Sequence, residues 1–309
     1  LAADGSAQHA LRTAFRDCLD VYHAMRAAWN QIAAGTYATS DFQWPSARPV
    51  TLLDRKAPPL VFEELTEDLA EFSVALPKAK ESTFAYILSG RASRAALQEF
   101  CTDFLYMDAT RAIAGQYSRI FDDHAYPAMA QAFATESGYF LTRCHMEIWA
   151  DLLESELGIT REDLVSYVPG VETRASRFVT SWFCLHGGVE EALAGFHLGA
   201  PPQAKKKLAD GGMSLGLGGV QGEKIETIAG TIAKVFEECY GVKGDLARHF
   251  FVLHEEIEPF EQGEGWDYVK ETLVTRRQQE IFRRAFVTKV LSERNKDATT
   301  LARLKALGG

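Results

Sequence analysis

The chain has 309 residues, is 47% hydrophobic and carries a formal net charge of −9. That is enough apolar material for a sizeable core, and the acidic balance argues against nucleic acid as the main partner, because phosphate binding needs a basic surface. No apolar run reaches the roughly 18–20 residues of a membrane span, so no membrane partner is expected.

The opening Leu1-Ala2-Ala3-Asp4-Gly5 is followed by no apolar h-region, so no secretory leader is expected. Cys18, Cys101, Cys144, Cys184 and Cys239 are odd in number and lack CxxC spacing. They read as buried apolar thiols in a reducing cytoplasm, without a zinc site or a disulfide framework.

Helical periodicity dominates and alternating β patterns are almost absent. A first helix is expected from about Ser6 to Ala34, followed by a connector marked by Pro45, Pro49, Pro58 and Pro59. Helices are then expected over Glu63–Leu76 and Arg94–Phe121, the second capped by Ser93. Further helices are expected over Tyr126–Leu157, Glu172–Leu198, Lys224–Tyr240, Leu246–Glu261 and Trp266–Arg294, with Gly158 and Gly241 at C-cap positions. His186, before two glycines, reads as a helix-end residue.

Gly199–Gly222 departs from the pattern, with Pro201-Pro202, Lys205-Lys206-Lys207 and a glycine-rich run. It reads as a long loop of the kind that forms lids. It lacks the GK[ST] ending of a phosphate loop and the GxGxxG spacing of a dinucleotide site. No internal repeat is visible, which disfavours a solenoid. The expected architecture is all-α and a single domain overall. In it, residues 1–80 form an N-terminal helical extension packed on a helical core of residues 81–309.

The richest chemistry lies in His254-Glu255-Glu256-Ile257-Glu258-Pro259-Phe260-Glu261. At 100° per residue His254, Glu258 and Glu261 fall within about 60° of each other on one helix face. Phe250, Phe251, Leu253, Ile257 and Phe260 surround them with apolar surface. Ionisable groups among core positions are costly unless paired or bound to a cation. A histidine and two carboxylates are the donor set of a non-haem iron site. The plainer reading is an amphipathic helix with a solvated acidic face. Arg111, Arg143 and Arg248 are candidates for binding a substrate carboxylate through bidentate pairs. Salt bridging within an acidic chain is their plainer use.

Three stretches resemble the helical superfamily of haem oxygenase, the TenA thiaminases, PqqC and the haem-oxygenase-like diiron oxidases. The first runs from Phe84-Ala85-Tyr86-Ile87-Leu88-Ser89-Gly90 to Asp103-Phe104-Leu105-Tyr106-Met107-Asp108. The second is Glu136, then His145, then Leu152-Leu153-Glu154-Ser155-Glu156-Leu157-Gly158. The third runs from Glu223-Lys224-Ile225-Glu226 through Tyr240-Gly241 to His254 and Glu258. The likeness covers roughly residues 80–292, and its specificity lies in the order and spacing of loose motifs.

The resemblance implies a haem-oxygenase-like up-down bundle of about seven core helices. It also implies two Fe(II) per chain with O₂ as co-substrate. The implied ligands are Glu136, His145, Glu223 or Glu226, His254 and Glu258, with Asp103 or Asp108 and Glu261 as further members. His197 is an alternative donor. Glu261 stands where the family has a histidine, so one iron position is expected to be labile. The implied activity is oxidation of an amino acid or related small metabolite at an aliphatic C–H in specialised biosynthesis, ending in desaturation, ring closure or C–C cleavage. An external electron donor and a homodimer are compatible with it. N-oxygenation within the same family, a metal-free TenA- or PqqC-like enzyme and a non-catalytic helical binding protein remain the alternatives.

Overall fold

The computed structural model describes residues 58–75, 82–116, 145–196, 201, 228–249 and 265–308. These residues are 82% helical and include no strand, so the chain is all-α over its described part. The elements are α1 (Phe62–Ala75), α2 (Thr83–Leu88), α3 (Arg94–Gln116), α4 (His145–Leu152), α5 (Arg161–Ser166), α6 (Val171–His186), α7 (Val189–Phe196), α8 (Ile228–Tyr240) and α9 (Arg276–Leu307). Residues 245–249 and 265–272 are also helical.

Local chemistry sets several boundaries. Ser93 caps α3 as expected, its hydroxyl accepting from the Ala96 N–H at 3.1 Å. The helix continuing from α4 relaxes into a π turn over Leu153–Leu157 and stops at Gly158, whose φ of +69° only glycine adopts readily. Gly241 ends α8 in the same way, with φ +71°.

Two expected helices are corrected. The single helix over Glu172–Leu198 is two helices, α6 and α7, broken at Gly187-Gly188. There the Glu191 carboxylate folds back to accept from the Gly188 N–H at 2.8 Å, restarting the helix. The helix over Trp266–Arg294 is interrupted at residues 273–275 and resumes as α9, which runs on to Leu307. Thr275 and Gln278 form a reciprocal capping box at that restart. The expected helix Ser6–Ala34 lies outside the described residues, as does Gly199–Gly222 apart from Pro201.

The interior has two clusters. One gathers Leu97, Phe100 and Cys101 of α3, Trp149 and Leu152 of α4, Phe236 of α8 and Leu304 of α9. The other gathers Leu65 and Leu69 of α1, Leu193 of α7, Trp266, Tyr268 and Val269, and Phe282 and Phe286 of α9. Each fully buried side chain of this size contributes roughly 1.5–3 kcal/mol. A buried ion pair fastens α1 to α9: the Arg283 Nε donates to Asp68 Oδ2 at 2.5 Å.

Candidate functional site around helix α3

Helix α3 carries different chemistry on its two faces. One face meets α4, which runs antiparallel to it. Near its start, Arg94 donates to the Glu156 carbonyl and Gln98 to the Leu157 carbonyl, at 2.7 Å. Further along, the Trp149 indole N–H donates to the Cys101 carbonyl at 3.1 Å. His145 lies one turn before Trp149, so the start of α4 falls close to the level of Leu105. At 100° per residue, positions 101, 105 and 108 share a stripe about 60° wide, and position 103 lies on the opposite side of the helix.

The opposite side holds an ionic network. Asp103 is buried, 2% exposed. It accepts from the Tyr167 hydroxyl at 3.1 Å, the Thr173 hydroxyl at 3.4 Å and the Arg303 guanidinium at 3.3 Å. One turn earlier, Glu99 accepts from the same Tyr167 hydroxyl at 2.8 Å and pairs with Arg303 at 3.0 Å. Tyr167 is held well above its ordinary pKa by burial and then by the Asp103 charge, so it stays a hydroxyl donor. Gly170 lets Arg303 approach: a Cβ there would lie 2.6 Å from a guanidinium nitrogen. Arg177 of α6 pairs with Glu293 of α9 at 3.5 Å and donates to the Met107 carbonyl at 3.5 Å.

These placements sort the expected site residues. Asp103 does not fit a metal position. Its two oxygens already face three donors, one of them a cation, and a second cation there would meet the Arg303 charge. Asp108 and His145 belong to the helices α3 and α4, which pack against each other through Cys101 and Trp149. The side chains of Asp108, His145 and Arg111 lie outside the described set, as do Glu136, Arg143, His197, Glu223, Glu226, His254, Glu258 and Glu261 altogether. Arg248 is exposed. Among the described residues, no three His, Cys, Asp or Glu side chains form a metal cluster.

Cys101 and Cys184 are buried, as expected, but Cys239 is exposed at the end of α8, a correction to the reading of all five as buried. Burial pushes the Cys101 thiol far above its ordinary pKa, the reverse of an activated nucleophile.

Sequence reasoning missed Glu99, Tyr167, Thr173, Arg177, Lys296 and Arg303. Glu99 and Asp103 did carry a signal, two carboxylates at i,i+4 in a helix otherwise rich in core residues. Arg303 and Lys296 carried none, because α9 is polar along much of its length. The architecture thus defines an all-α protein with a polar seam along α3. No protein-family model and no curated protein sequence matches the chain.

Proposed function

We propose that the chain is a non-haem diiron oxidase acting with O₂ on an amino acid or related small metabolite, within a haem-oxygenase-like bundle. The observation that carries this reading is the sequence order Glu136, His145, Glu223 or Glu226, His254 and Glu258. The packing of α3 against α4 supports it, because it brings the helix segments that carry Asp108 and His145 to neighbouring levels. Asp108 is accordingly the preferred carboxylate from α3, and Asp103 is reassigned to holding helices together. Bound iron would supply the electrons that activate O₂, chemistry no side chain performs. The described residues contribute the frame. Phe104 and Trp149 pack edge to face beside the α3–α4 seam, with ring centroids 5.5 Å apart, and Phe100 lies tilted against Phe104 at 6.3 Å, which lines the seam with apolar surface.

The test is metal content after anaerobic Fe(II) loading, followed by O₂ consumption with a panel of amino acids and fatty acids. Wild type should take up as many as two irons per chain. The His254→Ala variant should lose iron and turnover while keeping its helical signal. Full iron retention in that variant would show that His254 is not the central ligand, and equal turnover by metal-free protein would replace this reading with the metal-free TenA/PqqC-like alternative.

A further inference from the structure

Lys296 lies on α9 at the junction with α3 and α6. It is half-buried as a residue, and its ammonium end is enclosed. The contact it makes there is with the Met107 thioether sulfur, at 2.8 Å. A thioether is a weak acceptor, and an ammonium has three donors to satisfy. Glu293, Asp103 and Asp297 lie near enough to attract its charge, but each also bonds another donor. Asp103 accepts from Tyr167, Thr173 and Arg303. Asp297 accepts from the Thr83 N–H at 3.2 Å, and Glu293 pairs with Arg177. Arg177 stands close enough for the two positive charges to repel.

We propose that Lys296, with Arg177 beside it, anchors a binding site for a small oxyanion, a carboxylate or a phosphate, in the space the Met107 side chain fills. Such an anion offers two or more oxygens, enough to bridge an ammonium and a guanidinium. It removes the repulsion between them. Met107 is unbranched and half-buried, so it can turn aside without disturbing the backbone. Burial first, and Arg177 second, lower Lys296 to about 8, and a bound anion would restore its charge. The site stands whether or not the chain binds iron.

The experiment uses the full chain without added metal. Limiting acetic anhydride labels lysines, and peptide mass spectrometry compares Lys296 with exposed Lys243 in acetate, inorganic phosphate or sodium chloride at equal ionic strength. Acetate or phosphate should slow Lys296 labelling saturably, about fivefold at about four times the Kd, and leave Lys243 unchanged. Protection by acetate alone assigns a carboxylate site, and protection by phosphate alone a phosphate site. Equal protection by chloride, or none by either oxyanion, overturns the proposal. The same oxyanions should raise the Tm of wild type and not of Lys296→Met; an undiminished rise in that variant also overturns it. If the variant does not fold, the wild-type labelling decides alone.

Discussion

Replacing Asp103 with alanine should cost about 3 kcal/mol of folding stability and leave iron loading intact. The magnitude follows from what the carboxylate touches. Its bonds to Tyr167 and Thr173, at 3.1 and 3.4 Å, are long, so about 0.5 kcal/mol each is appropriate. Arg303 keeps Glu99 at 3.0 Å and is 29% exposed, which holds the lost charge pair to about 1 kcal/mol. The vacated space at a position 2% exposed adds about 1 kcal/mol. Asp103→Asn keeps the shape and an acceptor oxygen, so its cost should fall to about 1 kcal/mol. Equilibrium unfolding in urea, followed by circular dichroism, gives the stabilities, and elemental mass spectrometry gives iron per chain. A loss below about 0.5 kcal/mol accompanied by loss of iron would refute the reasoning. It would make Asp103 a ligand and the network incidental.

Asp68→Ala should destabilise by about 3–5 kcal/mol, because it removes one partner of an ion pair whose two side chains are both under a tenth exposed; a loss under about 1 kcal/mol in urea unfolding would show that the pair is effectively solvated. Gly90→Ala should cost more than Gly158→Ala. Both have φ near +70°, worth about 1–2 kcal/mol to any L-residue, but a Cβ at Gly90 would lie 2.7 Å from the Cys239 sulfur while one at Gly158 meets open space. Thermal melts of the two variants rank them, and equal Tm values would mean that Cys239 moves aside freely.

What was legible in the sequence was what local chemistry controls. The start of α3 was readable from Ser93, and the ends at Gly158 and Gly241 from glycine's access to positive φ. The break at Gly187-Gly188 was missed because apolar periodicity continues through it, from Val179 and Cys184 to Ala192 and Leu193. The break before α9 carried its own signal, Thr275 with Gln278, which the surrounding helical pattern obscured. The site was legible as a list of residue types and far less as contacts. Asp103 was named only as one of two alternative carboxylates that the resemblance implies, and its partners lie 64, 70 and 200 residues away. No spacing rule reaches across such distances. Asp103 and Asp108 were indistinguishable in the sequence, because helical spacing alone does not say which side of α3 meets α4 and which meets α6 and α9.

The length of α9 bears on how the molecule comes apart. Its 32 residues span about 48 Å, with Phe282 and Phe286 in one apolar cluster and Leu304 in the other. A single rod anchored at both ends makes the two clusters share their fate. Melting either one frees an end of the helix and weakens the grip on the other. Unfolding of the described part should therefore be one transition, and amides in the middle of α9 should exchange only through global opening. A lesion in the cluster at α1 would then be felt as lost occupancy of the native state at α3, with no change in local geometry.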